Sequence, residues 1–297
     1  MSHPATKPPA DGSSARIPVQ SMWIGDRLGV LERLTIQSFL DHGHPFHLFL
    51  YGPCANVPTG TVLRDAREVL PDSAIFTYKT GYGAGLPSGF ANLFRYALLH
   101  AHGGWWVDLD VVALRPLVFD AEHVLGTATS SGSLFVENAI IRAPAGSPLM
   151  AYCLEAAQQA DRDRVRWGET GPRLLTRAVA ALGMESAVTP PATLYPVSAG
   201  RFWDLVRPGE VPAGATAMHL WAQQWRYFGL DPAARFPDRS PYQVLIARHL
   251  PEFDRTPRPR VNVPMLLVRS IPARLRATVH HRWSRWQRSR TGSSLAD

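Results

Sequence analysis

The chain has 297 residues, 45% of them hydrophobic and 19% charged, which is the composition of an ordinary globular protein able to bury one sizeable core. Its net charge of +7 is local: ten arginines and one acid from Arg255 onward give +9, and the rest of the chain carries −2, so the basic character is a property of the tail and is not read as nucleic-acid binding. No apolar run approaches the ~18 residues of a membrane span, and the two cysteines, Cys54 and Cys153, form no metal or redox motif.

Residues 1–16 are rich in Pro, Ser and Ala and lack the apolar core of a signal peptide, so they read as a disordered leader on a cytoplasmic protein. Residues 17–25, IPVQSMWIG, read as a strand ended by Gly25. Leu28, Leu31, Leu34, Thr35, Ser38 and Phe39 keep a helical spacing, and FHLFLYG is a second strand ended by Gly52-Pro53. The spacing predicts a short helix over 61–70 and a third strand over 74–78, AIFTY. Residues 79–88 form a glycine-rich loop without the Gly-Lys-Ser/Thr of a phosphate loop. The next helix is strongly patterned: Phe90, Leu93, Phe94, Ala97, Leu98 and Ala101 make one buried stripe. Ser88 is positioned to cap it and Gly103-Gly104 to end it. HVLGTATS, GSLFVENAIIRAP and ATLYPV suggest further strands, SPLMAYCLEAAQQA and ETGPRLLTRAVAALG helices, and TAMHLW a last strand before the aromatic run WAQQWRYF. This alternation predicts an α/β protein with a mostly parallel central sheet flanked by helices.

The segment GGWWVDLDVVAL holds the chemistry. On an extended backbone Asp108 and Asp110 point to the same side, and two carboxylates at a strand end can hold a hard divalent cation that in turn holds a diphosphate. Trp105-Trp106-Val107 before the pair and Val111-Val112 after it make solvated surface charge a poor account, because carboxylates inside such a run need a counter-charge. His219, in TAMHLW, is the candidate imidazole to complete the shell; its other reading is a hydrogen-bonded core histidine. Asn92 and Arg95 share one face of the preceding helix.

Ala91-Asn92-Leu93-Phe94-Arg95-Tyr96 followed by Gly103-Gly104-Trp105-Trp106-Val107-Asp108-Leu109-Asp110 resembles the glycosyltransferases of family 32, which carry a DXD sugar-binding region. That family includes α1,4-galactosyl- and α1,4-N-acetylglucosaminyltransferases, fungal α1,6-mannosyltransferases and clostridial-toxin glucosyltransferases. Met22-Trp23-Ile24-Gly25, Asn138 in VENAIIRAPAGSP, Thr170-Gly171-Pro172, Leu194-Tyr195-Pro196 and His219-Leu220-Trp221 are similar to further family segments in the family's order. Asn92 stands where the family usually has aspartate, which keeps a carbonyl acceptor and loses a charge.

The resemblance implies a GT-A type nucleotide-sugar transferase fold over 17–250 and transfer with retention of configuration. It implies a UDP-sugar donor first, a GDP-sugar second, and a Mn²⁺ or Mg²⁺ cofactor. It assigns Trp23 to the base, and Asn92, Arg95, Asp108, Asn138 and Trp221 to the donor. Asp108, Asp110 and His219 would hold the metal, and Asp108, Asp110 and Arg95 would form the catalytic centre. Glu137 and Glu169 read as structural or surface acids rather than nucleophiles, so a same-face displacement assisted by the departing phosphate is preferred.

Two other classes compete. A haloacid-dehalogenase-type phosphatase would use Asp108 as nucleophile, but no lysine follows Lys79 and no convincing second acidic pair follows the motif. A non-catalytic nucleotide-sugar or carbohydrate-binding protein would explain Asn92. The arginine-rich tail, 251–297, interleaves Leu266, Leu267, Ile271, Leu275, Val279, Trp283 and Trp286 with arginines, the pattern of an amphipathic segment lying on an anionic membrane surface. The acceptor is then a glycan or lipid-linked molecule at the inner membrane surface, and no nucleic acid partner is expected.

Overall fold

A computed structural model describes residues 16–81, 83–130 and 133–261. They divide into two compact units: the chain up to Gly200 together with Pro212–Trp221, and Arg201–Val211 together with the chain from Ala222.

The first unit begins with β1 (Val19–Trp23), α1 (Val30–Asp41), β2 (Phe46–Leu50) and β3 (Val62–Asp65). These are followed by α2 (Ser88–His102), β4 (Gly104–Val107) and β5 (Val111–Ala113), then by β6 (Val124–Ser130), β7 (Ser133–Ala143), α3 (Pro148–Gln159) and α4 (Pro172–Ala181). Next come β8 (Val188–Thr189) and α5 (Pro191–Leu194). The second unit then contributes α6 (Trp203–Val206), the first unit resumes with β9 (Ala217–His219), and α7 (Ala222–Phe228), α8 (Pro241–His249) and α9 (Pro251–Arg255) complete the second.

Seven strands form one sheet in the order β3-β2-β1-β4-β7-β6-β8, and β5 pairs with β9 in a second small sheet. Within the large sheet β1, β2, β3 and β4 run parallel, β7 is antiparallel to β4 and β6, and β8 is parallel to β6. The mostly parallel sheet flanked by helices is the architecture expected from the sequence. Successive residues of β4 feed opposite faces: Trp106 packs with Phe90, Phe94 and Leu149, and Trp105 with Ile36, Phe39 and Phe46.

The chain leaves β1 toward β2 and β3 on one side and returns to β4 on the other, so the strand order reverses between β1 and β4. Open α/β sheets bind ligands in the crevice at such a reversal, outside the carboxyl ends of the strands. Trp23 ends β1, and Asp108 directly follows β4.

Five local expectations are corrected. Residues 61–70 are not a helix: Val62–Asp65 pairs in register with β2, His47 opposite Val62, and only Ala66–Glu68 coils into a 3₁₀ turn. Parallel pairing of Val62-Leu63 outweighed the helical spacing. Residues 74–78 are not a strand, because β3 already occupies that sheet edge; the amide of Tyr78 instead bonds Leu86 O and closes the glycine loop. ATLYPV is not a strand, since Pro191 sits at the first turn of α5, whose end closes through Tyr195 N to Pro191 O. Ser88 is the first residue of α2, not its cap, and Pro87 occupies the cap position. Finally, β4 stops at Val107, so the two aspartates are not on a strand but in a tight turn, with Val111 N bonded to Asp108 O at 3.1 Å.

The end of α2 reads as expected. Gly103 takes φ +65°, and a Cβ there would lie 2.5 Å from Ala145 N.

A bulge in β7 lies beside Asp108. Leu125 pairs with Ile141, but the next residue of β6, Gly126, pairs with Glu137, so Asn138, Ala139 and Ile140 have no partner on β6, while Ile140 still pairs with Val107 of β4. Their backbone groups find other partners: Ala139 O accepts from Asp108 N at 2.8 Å, and Ile140 N donates to the Tyr195 hydroxyl at 2.9 Å. The Tyr195 ring reaches that position only because Gly126 has no side chain; a Cβ there would lie 2.3 Å from Tyr195 Cε2. Gly126→Ala is therefore expected to destabilise the fold by about 1–3 kcal/mol, measured by urea unfolding. The loss should shrink in a Tyr195→Leu background, and an equal loss in both backgrounds would refute this account of the bulge.

The second unit is built on aromatic packing. Trp225 lies 5.3 Å from both Phe202 and Phe236 and 4.6 Å from Tyr242, ring centre to ring centre. Asp254, on α9, accepts from Gln243 at 2.6 Å and Arg258 at 2.9 Å, and Arg235 exchanges backbone bonds with Pro259 and Val261. The tail through Val261 is thus tied into this unit, and its amphipathic run from Leu266 lies outside the described residues. No helix among the described residues is long and apolar enough to cross a membrane.

Candidate functional site

The turn Asp108-Leu109-Asp110 hangs between two backbones, with Asp108 N on Ala139 O and Leu220 N on Asp110 O at 2.7 Å. Each aspartate then enters its own side-chain network.

Asp108 meets Arg95. Its Oδ1 accepts from Arg95 Nη2 and, at 2.7 Å, from Trp106 Nε1. The guanidinium is only 3% exposed, while Asp108 is 31% exposed, so the cation is the sequestered partner and the carboxylate keeps an open side. Arg95 also lies 5.0 Å over the Trp106 ring. Its Nη1 donates to Asn92 Oδ1 at 2.7 Å, and Asn92 Nδ2 reaches Thr170 Oγ1 at 3.3 Å. The backbone carbonyl of Thr170 accepts from Tyr96 at 3.0 Å, which pins the start of α4 against α2. Asn138, carried in by the β7 bulge, places its amide 2.9 Å from Asn92 Oδ1. Gly171 makes room for both amides, since a Cβ there would lie 3.1 Å from each.

Asp110 meets His219, with Oδ2 3.0 Å from Nε2. Trp221 lies against the imidazole at 4.0 Å between ring centres and 33° between planes, and Tyr195 approaches it edge-on at 5.9 Å. Trp221 takes φ +57°, which a bulky side chain adopts only when held; its indole N–H is anchored on Val197 O at 2.8 Å. Trp23 belongs to neither network. Its ring packs over Gly25 at the end of β1, and its N–H donates to Arg27 O at 3.2 Å.

The sequence-nominated residues Asn92, Arg95, Asp108 and Asn138 thus form one connected group, and Asp110, His219 and Trp221 a second. Glu137 is the residue that sequence reasoning undervalued. It is only 7% exposed, and Oε1 accepts from Asn138 N at 2.8 Å. Trp106, Thr170 and Tyr195 also contribute polar atoms that no sequence signal had assigned. Glu169 is the surface acid expected, with Oε2 accepting from Arg166 N at 3.0 Å.

Burial pushes the Glu137 carboxyl up, against the pull of His219. It pushes Asp108 up as well, Arg95 opposing and Asp110 adding to the rise. Burial alone would lower His219; Asp110, by charge and hydrogen bond, and then Glu137 and Asp108 reverse this and raise it. A group whose folded pKa is raised holds its proton more tightly in the folded state, so its contribution to stability declines as pH rises from the unfolded to the folded value. His44, His47 and His123 are lowered by burial and act in the opposite sense below their ordinary 6.5. The Glu137 effect is therefore read as a difference. The stability of the native protein minus that of Glu137→Gln should fall as pH rises from 4.5. Urea unfolding at a series of pH values in chelator checks this, and a difference that rises with pH contradicts it.

Carboxylate and imidazole are suitable ligands for Mn²⁺ or Mg²⁺. Asp110 Oδ2 and His219 Nε2 lie 3.0 Å apart, the separation of a charge-assisted hydrogen bond between them. Asp108 is turned to Arg95, and among the described residues no group of three or more His, Cys, Asp or Glu stands in a ligating cluster.

No protein-family model matches the chain, and no curated protein matches it. Solved structures do. A structure described as PaToxG glycosyltransferase is 10% identical, covers 57% of this chain and 69% of its own, and has a TM-score of 0.42. A transferase and a cysteine-to-serine mutant transferase are 12% and 10% identical, with TM-scores of 0.35 and 0.39; each match covers 58% of this chain and 86% of theirs. At that level of likeness, function has to be read from the site.

Proposed function

We propose that this protein is a retaining glycosyltransferase of the GT-A type that uses a divalent cation and a nucleotide-sugar donor. One observation carries the reading: the Asp108-Leu109-Asp110 turn opens at the carboxyl end of a parallel sheet, at the reversal between β1 and β4, with a buried arginine on one aspartate and a histidine on the other. We read this end of the sheet as the place for a nucleotide and its diphosphate.

In this reading Trp23, at the end of β1, stacks on the base. Arg95 holds Asp108 in place, and Asn92 and Asn138 offer amide groups to sugar hydroxyls. Trp221, braced on His219 and Val197, closes the diphosphate side. A bound Mn²⁺ or Mg²⁺ ion, held by Asp110 and His219 with Asp108 beside it, would neutralise charge on the departing diphosphate. Glu137 is covered and Glu169 faces solvent, so neither is placed as a nucleophile; this supports same-face displacement. A phosphatase use of Asp108 is disfavoured because its Oδ1 is occupied by Arg95 and Trp106. We further propose a glycan or lipid-linked acceptor, an anionic membrane surface for the arginine-rich tail, and a cytoplasmic location.

A thermal-shift panel of UDP- and GDP-sugars, with and without Mn²⁺, tests the assignment, because only binding to the folded state stabilises it. Manganese-dependent stabilisation by one nucleotide series, with slow hydrolysis of the same donor, is expected. Tight binding without turnover would favour a binding protein, and no stabilisation by any donor would refute nucleotide-sugar binding.

A further inference from the structure

Glu137 is an acid with 7% exposure beside a buried cation, and nothing in the glycosyl-transfer reading uses it. Its surroundings pose a hydrogen-bonding question. Glu137 Oε1 already accepts from the backbone N of Asn138 at 2.8 Å. The same oxygen lies 3.0 Å from one atom of the Asn138 side-chain amide, whose other atom lies 2.9 Å from Asn92 Oδ1. The amide can be turned either way. With its nitrogen toward Asn92, its carbonyl faces the Glu137 oxygen, and two acceptors oppose each other. With its nitrogen toward Glu137, the carboxylate gains a second donor and the Asn138 carbonyl meets Arg95 Nη1 in place of a donor-to-donor contact; that carbonyl then lies 2.9 Å from Asn92 Oδ1, two acceptors held by the one cation between them.

Two physical arguments favour the second arrangement. A covered carboxylate needs donors, and Glu137 has no lysine or arginine hydrogen-bonded to it among the described residues. Arg95 needs acceptors: it is a permanent cation with five N–H donors, and its Nε finds no partner among the described residues. A second carbonyl on Nη1 serves that cation better than a bond between two neutral amides. Nη1 carries two hydrogens, so it can hold Asn92 Oδ1 and the Asn138 carbonyl together.

We propose that Glu137 is a positioning residue: by taking the side-chain N–H of Asn138, it turns the Asn138 carbonyl onto Arg95. The functional part of this inference rests on the glycosyl-transfer reading; the orientation does not. Arg95 is then gripped by Asp108 on one nitrogen and by two side-chain carbonyls on the other. This fixes the polar edge of the site along the Asn92 and Asn138 side. Glu137 acts through Asn138 and touches no substrate.

The sequence makes the test practical, because it holds only four asparagines, Asn56, Asn92, Asn138 and Asn262. Full-length protein labelled with ¹⁵N-asparagine gives four side-chain amide pairs, and the pair lost in Asn138→Ser identifies the one of interest. In Glu137→Gln the new amide nitrogen can donate to the Asn138 carbonyl, which turns the group back. At pH 8 the Asn138 resonances are expected to move and their hydrogen exchange to quicken in both Glu137→Gln and Glu137→Leu, while the Asn56 pair stays in place. With whichever UDP- or GDP-sugar the native protein hydrolyses, kcat should fall about 10- to 100-fold in both variants, with the affinity for UDP or GDP plus Mn²⁺ within twofold (~) of native.

Glutamine preserves size and shape, so a packing role alone would be rescued by it. Native resonances and native kcat in Glu137→Gln would overturn the proposal, as would unmoved resonances with a lowered kcat. If the native protein turns over no donor, the glycosyl-transfer reading fails, and the amide resonances still decide the role of Glu137.

Discussion

Asp110→Asn is expected to slow donor turnover by about 10²- to 10³-fold, the usual effect of removing one preorganised electrostatic group at a reacting centre. Asparagine keeps the size of Asp110, and its backbone carbonyl still accepts from Leu220 N. The fold should therefore survive. What disappears is the charge, with three linked consequences. The upward pull on His219 weakens, because Asp110 is the largest of the influences raising it. The proposed carboxylate–imidazole pair for a divalent ion loses its charged member. The Mn²⁺ concentration giving half-maximal rate should rise in parallel. Donor hydrolysis as a function of Mn²⁺, together with the His219 titration followed by NMR, measures all three. A variant with native rate and native Mn²⁺ dependence would show that Asp110 is a structural partner of His219 and nothing more.

Much of this site was legible in the sequence for a simple reason: its key residues lie close together in the chain. Phe90, Leu93, Phe94 and Leu98 of the predicted stripe are buried, though Ala97 is half-buried, Ala101 is exposed, and Asn92, Arg95, Tyr96 and Leu99 are buried as well; the alternation in β4 sets Trp105 and Trp106 on opposite faces. Gly103 must break the helix where it does. From those elements the proximity of Arg95 to Asp108 follows with little freedom. The strand argument for the aspartate pair reached the right neighbourhood by the wrong geometry. A turn, not an extended backbone, presents the two carboxylates, and it sends them to different partners.

What was not legible depends on distant pieces of chain meeting. Glu137 sits in an ordinary-looking strand, beside a bulge at 138–140 that carries Asn138 toward Asn92. Gly126 and Tyr195 pack at that bulge, and neither the gap in the ladder nor the fit of ring over glycine leaves a periodic trace. The strand at 62–65 had the same problem, since its partner β2 decided its conformation. Asn92 was flagged as a loss of charge, and the structure adds where its groups go: its carbonyl accepts from Arg95 and its amide reaches Thr170.

Arg95→Met should be the most destabilising change at the site, at about 3 kcal/mol, the lower end of what removing one partner of a buried ion pair costs. The lower end applies because Asp108 is 31% exposed and partly solvated. The loss arises from what remains. Asp108 keeps only Trp106 Nε1 on its Oδ1, and the Asn92 carbonyl loses its 2.7 Å donor. If the pair is kept for function and not for stability, removing both charges should undo most of the damage: Arg95→Met with Asp108→Leu is expected to regain at least half of the lost stability while turning over no donor. Urea unfolding of the two single variants and the double variant separates these contributions. A double variant as unstable as the sum of the singles would mean no coupling between Arg95 and Asp108 and would refute this account. A double variant that regains stability and stays inactive would place Arg95 and Asp108 among the groups retained for the chemistry of the crevice.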